Sequence, residues 1–295
     1  MQNANPAIEE RRVIAGELPT HYLTGGQGPP VVLLHGHGES SASWRWVLPA
    51  LARTHRVYAP DFPGAGESAK PSVYSQPTSF YSDFLAAFLD TLGLERVALV
   101  AASHGGNTAL RLALSTPDRV TALCLADSSG LGRVINPALI ALTLPGYGDA
   151  AVAWLRTPLG APQWVSMLAS LTFAFPPLAP PAWMAYQYRL AQTPGHLQGA
   201  VACLRGELDL AGQREVFLDE LPGLKMPTLV VWGTNDIVIP GYQAMAAVSR
   251  LENGRLVWIP NCGHLAQVER PDRFVAALGP FLADHAGDTA KGGGG

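Results

Sequence analysis

The sequence predicts an α/β fold with a mostly parallel central sheet, helices on both faces and an inserted helical cap. Short apolar runs alternate along the chain with segments of helical periodicity, which is typical of parallel strands joined by crossover helices. The alternation then stops, and residues 130–221 contain no convincing strand. These two observations define the predicted architecture.

Near-continuous apolar runs indicate strands that are buried on both faces of the sheet. Two helices are predicted between them, at residues 80–94, where apolar residues recur at helical spacing, and at 105–117, where a proline ends the segment. The predicted strands lie at residues 29–36, 56–64, 97–103, 121–127, 228–233 and 255–260.

The strandless interval is predicted to be a helical cap. Asp149 and Arg156 are the only charged residues from 134 to 188, and prolines recur there, which keeps helices short. A structureless loop of this length is not expected inside a compact domain. We therefore predict a core formed by residues 1–129 and 223–287. Residues 130–222 are predicted to form the cap, and residues 288–295 a flexible tail.

Composition and charge exclude several classes of function. The chain has 295 residues, a net charge of -3 and a pI near 6.2, so nothing predicts binding to nucleic acid or to an anionic membrane. Cys124, Cys203 and Cys262 are widely spaced and form neither a disulfide framework nor a CxxC zinc motif. We expect a cytoplasmic protein with reduced thiols, no metal, no cofactor and no stable membrane association. The sequence is also compatible with a homodimer.

Ser103 lies where the strand at 97–103 runs into a helix, within the sequence Ala-Ala-Ser-His-Gly. A sharp turn at such a junction exposes the hydroxyl above the sheet and places the next backbone N–H at a helix N-terminus. Capping the helix is the alternative role of a serine at this position. The strand-to-helix context favours a nucleophile.

This turn resembles the G-x-S-x-G motif of the α/β-hydrolase family, with Ala101 in place of the first glycine. The resemblance covers about residues 20–285 and implies a nucleophile at Ser103, a base at His264 in PNCGHLAQVERP and an acid at Asp236 in WGTNDIVIP. Asp127 is the alternative acid, because some family members carry theirs after that earlier strand.

An acyl-transfer transition state needs backbone N–H donors for the oxygen that becomes negatively charged. By resemblance to the family's H-G-x-G loop, the HGHG sequence at 35–38 implies that these donors belong to His37 and His104. His35 is expected to brace the loop, and DFPGAGES at 61–68 is expected to shape the fold nearby.

The predicted cap is rich in aromatic residues, and Trp154, Trp164, Phe173 and Trp183 are candidates for the wall of a substrate pocket. A cap so poor in charge predicts a small hydrophobic acyl substrate. The first functional prediction is therefore a serine carboxylesterase that acts through an acyl-serine intermediate.

Three alternatives remain. CGHLAQVE resembles the histidine loop of the family's C–C bond hydrolases of ring-cleavage diketones, although Leu265 stands where these commonly have tryptophan. SHGG also occurs in cofactor-independent dioxygenases of the same fold, but the intact WGTNDIVIP element argues against that activity. A slowly hydrolysing ligand receptor is the third alternative.

Overall fold

The computed structural model describes residues 6–73 and 75–287, so the predicted tail at 288–295 lies outside the described residues. The described strands are β1 Ile8–Ala15, β2 Leu18–Gly25, β3 Pro30–Leu34, β4 Arg56–Pro60, β5 Val97–Ala102, β6 Val120–Ala126, β7 Leu208–Asp209, β8 Gly212–Gln213, β9 Thr228–Gly233 and β10 Gly254–Ile259. The described helices are α1 Leu48–Leu51, α2 Thr78–Thr91, α3 His104–Ser115, α4 Pro137–Thr143, α5 Tyr147–Leu155, α6 Gly160–Thr172, α7 Pro181–Gln192, α8 His196–Glu207, α9 Tyr242–Val248, α10 Ala266–Glu269 and α11 Pro271–His285.

The main sheet has the strand order β1-β2-β4-β3-β5-β6-β9-β10. From β4 to β10 every pair in this order is parallel, whereas β1 and β2 join as antiparallel strands at one edge. The predicted fold class is confirmed, and each of the six predicted strands is present. The edge pair β1–β2 was not predicted, because β1 carries charged and exposed residues rather than an apolar run.

Two hydrophobic cores cover the two faces of the sheet. Alternate residues of β3 belong to different cores: Val32 and Leu34 pack with α2 and α3, whereas Val31 and Leu33 pack with α1 and α11. Side chains of successive strand residues point to opposite faces, so a strand covered on both sides must be apolar throughout. This requirement explains the continuous apolar runs in the sequence.

Between β6 and β9 the chain forms α4 to α8 and the small β7–β8 hairpin, which the sequence did not predict. Prolines stand at the first positions of α4 and α7, where the missing N–H costs nothing. We call α4–α8 the helical insertion. Helix α8 packs closely on the loop after β4, since a Cβ atom on Gly199 would lie 2.7 Å from Gly64 Cα.

Among the described residues, no single helix is both long and apolar enough to cross a membrane. Helices α4 and α5 meet the length and composition requirements only as a pair, and that pair is bent by 98°.

Candidate active site

The backbone at Ser103 is held in a left-handed conformation. Its φ of 52° and ψ of −121° are unusual for a residue with a side chain, and such conformations cluster at functional sites. The turn is tight on both sides: a Cβ atom on Gly105 would lie 2.5 Å from the Leu34 carbonyl oxygen, and one on Gly106 would lie 1.9 Å from Ser128 Oγ. Glycines are therefore required here, whereas Ala101 fits in the buried strand.

His264 and Asp236 are brought together from the loops after β10 and β9. His264 Nδ1 donates to Asp236 Oδ2 at 2.8 Å, which fixes the tautomer and leaves Nε2 with its lone pair. Asp236 Oδ1 in turn accepts hydrogen bonds from the backbone N–H groups of Val238 and Ile239, at 2.7 and 3.1 Å. A histidine held in this way can accept a proton at Nε2.

Ser103, Asp236 and His264 follow β5, β9 and β10 at their carboxyl ends, the edge of a parallel sheet where ligands bind. Within residues 6–73 and 75–287 no hydrogen bond joins the Ser103 hydroxyl to His264. Hydrogen bonds of this kind are often long without substrate and shorten when it binds.

Asp127 follows β6, close to the same pair, but it has different partners. Its Oδ1 accepts a hydrogen bond from the Gly233 backbone N–H at 2.8 Å, while Oδ2 is buried without a hydrogen-bond partner in the described chain. Burial, reinforced by the neighbouring Asp236 carboxylate, raises the pKa of Asp127 well above its usual value. Asp127 is thus favoured as a neutral acid that ties β6 to β9, and Asp236 is the residue bonded to His264.

The loop after β3 lies against the serine. A Cβ atom on Gly36 would be 3.0 Å from Ser103 Cβ and 3.5 Å from Oγ. In the described part of the chain, the backbone N–H groups of His37 and His104 make no hydrogen bond, so both remain available as donors. Such unpaired donors beside a nucleophile are what an oxyanion hole requires.

The loop is braced by His35 and Asp61. His35 Nδ1 donates to the Gly36 carbonyl oxygen at 2.8 Å, and its Nε2 accepts from the Phe62 backbone N–H at 3.0 Å. Burial lowers the pKa of His35 to about 4, so the ring is neutral and can fill both roles. Asp61 holds the neighbouring turn, accepting from the backbone N–H groups of Ser41 and Glu67 at 2.7 Å each.

The side chains of His37 and His104 belong to a buried polar cluster that the sequence analysis missed. They stack with ring centroids 4.6 Å apart, and both hydrogen-bond to Glu207 Oε2, from His104 Nδ1 at 3.2 Å and from His37 Nε2 at a shorter distance. Cys203 Sγ lies 3.5 Å from His104 Nε2. We call these four residues the His/Cys/Glu cluster. The only local signal was the spacing of Cys203 and Glu207, four residues apart on one face of a helix.

Opposite charges hold the cluster together. Burial alone would favour neutral side chains, but the Cys203 thiolate and the Glu207 carboxylate outweigh it and raise the pKa of His37 to about 10 and that of His104 to about 9. Burial likewise opposes the thiolate, yet the two histidines lower the pKa of Cys203 to about 6. A cavity of about 20 Å³, lined in part by His37, His104 and Cys203, adjoins these groups.

The four predicted pocket residues lie in different surroundings, and none of them lines this cavity. Trp164 is buried near the loop after β3, which we call the oxyanion loop; its side chain lies 3.5 Å from where a Cβ atom on Gly38 would be. Phe173 and Trp183 pack edge to face in the insertion, and Trp183 Nε1 donates to Glu39 Oε1 at 3.2 Å. Trp154 is 46% exposed on α5, so it contributes little to a buried pocket wall.

Comparison with known families identifies the fold. A model of the alpha/beta hydrolase fold family matches residues 29–271, most of the chain. The chain belongs to the α/β-hydrolase family. Two curated relatives are 2-hydroxymuconate semialdehyde hydrolase from a Pseudomonas species and 2-hydroxy-6-oxo-2,4-heptadienoate hydrolase from Pseudomonas putida. The first is 30% identical to this α/β-hydrolase, over 93% of this chain and 94% of its own length. The second is 31% identical, over 96% of this chain and 99% of its own length.

A solved structure gives the same picture. The 2-hydroxy-6-oxo-6-phenylhexa-2,4-dienoate hydrolase of a Rhodococcus species superimposes on this α/β-hydrolase with a TM-score of 0.78 at 27% identity. The superposition covers 95% of this chain and 98% of that one. These relatives share a class of hydrolase that the sequence analysis held as an alternative, and they support the esterase prediction only at the level of the family.

Proposed function

We propose that this α/β-hydrolase cleaves a carbon–carbon bond in 2-hydroxy-6-oxo-dienoates, the vinylogous diketones formed by ring cleavage. The observation that carries the proposal is the near full-length similarity to two curated hydrolases whose names specify such substrates. These compounds contain no ester or amide. A hydrolase acting on them must therefore break the bond between the 6-oxo carbon and its neighbour in the chain.

Cleavage requires an electron sink, which the substrate can supply. Moving the proton of the 2-hydroxyl group to C5 gives a 2,6-diketone, in which the C5–C6 bond can break with its electrons delocalised into the enone. Water adds across that bond: the acyl part leaves as a carboxylic acid, and the remainder leaves as a 2-hydroxydienoate. The same groups can serve both stages, because a base is needed first for the proton and then for the nucleophile.

In the proposed assignment His264 is the base, oriented by Asp236, and Ser103 is the nucleophile. The hydrogen bond of 2.8 Å from His264 Nδ1 to Asp236 supports this assignment, since it leaves Nε2 as the acceptor. The oxyanion formed at C6 is proposed to accept hydrogen bonds from the unpaired backbone N–H groups of His37 and His104.

Ester hydrolysis is the second candidate, because the same three side chains and N–H donors would cleave an activated carboxylic ester. A receptor that turns over slowly, or a cofactor-independent dioxygenase, would also bind ligands at this edge of the sheet. The proposed location remains cytoplasmic, and the proposed partner is a small molecule.

A substrate comparison tests the proposal. The purified protein is assayed with 6-methyl and 6-phenyl 2-hydroxy-6-oxo-dienoates, by loss of the dienolate absorbance, and with p-nitrophenyl esters of graded chain length. We expect kcat/KM for a dienoate to exceed that for the best ester by at least about 100-fold, or about 3 kcal/mol in transition-state stabilisation. A better ester than dienoate would contradict the proposal, single-turnover behaviour would indicate a receptor, and oxygen uptake would indicate a dioxygenase.

A further inference from the structure

The His/Cys/Glu cluster joins three separate segments of the chain. His37 comes from the loop after β3, His104 is the first residue of α3, and Cys203 and Glu207 lie on one face of α8. One donor atom from each of the four side chains lies within 4.8 Å of the other three. His104, Cys203 and Glu207 are buried, and the His37 side chain is 11% exposed.

Two pairs of these atoms are spaced as in a tetrahedral metal site. Bonds of about 2.0 Å from zinc to nitrogen or oxygen and about 2.3 Å to sulfur place neighbouring donors about 3.3–3.6 Å apart. Through its Nδ1 atom, His104 lies 3.2 Å from Glu207 Oε2 and 3.7 Å from Cys203 Sγ, which is close to this spacing. His37 Nε2 and Glu207 Oε2 are closer together than that, because they share a hydrogen bond, and they would move apart around an ion.

An unsatisfied atom gives an independent indication of a ligand. Glu207 Oε1 is buried with no hydrogen-bond partner among the described residues, although the Glu207 side chain is only 1% exposed. An orphaned carboxylate oxygen inside a protein is costly unless something outside the hydrogen-bond network pairs with it. Oε2 already accepts from both histidines, so a cation bound through both carboxylate oxygens of Glu207 would provide that partner.

We propose that His37, His104, Cys203 and Glu207 form a structural zinc site. Zinc would displace the protons that the two histidines hold in the metal-free cluster. The resulting neutral imidazoles, thiolate and carboxylate carry a combined negative charge that a divalent ion neutralises, and nitrogen, sulfur and oxygen donors suit zinc. With four protein ligands the site has no open position for water, so its role is structural rather than catalytic.

The site lies directly behind the proposed oxyanion hole. Its two histidine ligands are the residues whose backbone N–H groups are unpaired beside Ser103, and its other two ligands belong to the helical insertion. Zinc would therefore connect the oxyanion loop and the start of α3 to helix α8. This inference does not depend on which bond the enzyme hydrolyses.

Metal analysis tests the site without reference to activity. The protein is produced in zinc-supplemented medium, freed of loose metal by gel filtration and assayed by mass spectrometry, and its affinity is measured by competition with a chromogenic chelator. We expect one zinc ion per chain, and we expect Cys203→Ala and Glu207→Gln to lower the affinity by at least about 100-fold. Removal of the zinc should lower the Tm of the wild-type protein.

Cys262→Ala is the matched control, since Cys262 is also a buried free cysteine but lies outside the cluster, and it should keep its zinc. If the Cys203 variant does not fold, cobalt substitution of the wild-type protein shows whether a thiolate binds the metal, because a thiolate ligand gives a sulfur-to-cobalt charge-transfer band. Wild-type protein without stoichiometric zinc, undiminished zinc affinity in Cys203→Ala, or a cobalt protein without that band would each overturn the proposal.

Discussion

The pair Asp236→Asn and Asp127→Asn distinguishes the two acids at the edge of the sheet. Both carboxyls are fully buried, and both follow a strand. Asp236 alone is hydrogen-bonded to His264 Nδ1, whereas Asp127 accepts from the Gly233 backbone N–H. The same chemical change therefore removes two different interactions.

In Asp236→Asn the amide can present its N–H₂ group to His264, which favours the wrong tautomer and no longer stabilises the imidazolium. By analogy with a serine-protease triad, whose acid was replaced in the same way, kcat should fall by about 10⁴-fold, which corresponds to about 5 kcal/mol. In Asp127→Asn the amide resembles the neutral acid that the raised pKa favours, and its oxygen still accepts from Gly233. Less than about a 10-fold loss is expected there, or about 1.4 kcal/mol.

Steady-state kinetics on a dienoate measure both losses, and urea unfolding of both variants is the control for stability. A loss in Asp127→Asn equal to or greater than that in Asp236→Asn, at unchanged stability, would refute the assignment and make Asp127 the acid. A small loss in both variants would show that His264 is oriented mainly by its backbone bond to the Thr172 carbonyl oxygen, at 2.7 Å.

Three further predictions concern single residues. Ser103→Ala should lose at least about 10⁴-fold in kcat with unchanged circular dichroism, and retained turnover would exclude it as nucleophile. Burial raises the pKa of Glu39 from 4.5 to about 8, so between these pH values the folded state holds a proton that the unfolded state has lost. The free energy of unfolding should therefore fall as pH rises from 4.5 to 8, by up to about 5 kcal/mol. Its slope against pH should be smaller for Glu39→Gln, and equal slopes would contradict the raised pKa. Gly105→Ala places Cβ 2.5 Å from the Leu34 carbonyl oxygen and should destabilise the protein by about 1–3 kcal/mol. Gly279→Ala in α11 has open space around it and should not destabilise the protein. Equal effects of the two substitutions would show that the contact between α3 and the end of β3 is not tight.

The strands at the centre of the sheet could be predicted because burial on both faces forces an apolar run. Val31, Leu33 and their neighbours in β3 have no exposed side and no polar residue. The edge strand β1 is different: its side chains are mostly exposed, including Glu9 and Arg11, and four charged residues interrupt its apolar ones. Antiparallel edge strands of this kind depend on pairing with a neighbour, which the sequence does not display.

The site could be predicted where each residue lies in the first loop after a strand. Ser103, Asp236 and His264 are all in such loops, so knowing the strand order is enough to bring them to one edge. Asp236 and Asp127 both satisfy that rule; the motif around Asp236 favoured it over Asp127, and the structure adds its hydrogen bond to His264. The His/Cys/Glu cluster could not be predicted, since His37 and Glu207 are 170 residues apart and meet only through the packing of α8.

That packing also changes what the helical insertion implies about the substrate. The low charge of residues 134–188 predicted a hydrophobic acyl substrate, but α8 lies beyond that range and carries the buried side chains of His196, Arg205 and Glu207. The cavity of about 20 Å³ next to the oxyanion-hole residues is lined by imidazole and thiol groups, and the indole of Trp164 lies near Gly38. The low charge of residues 134–188 is therefore no argument for a simple aliphatic ester over a dienoate, which carries a carboxylate.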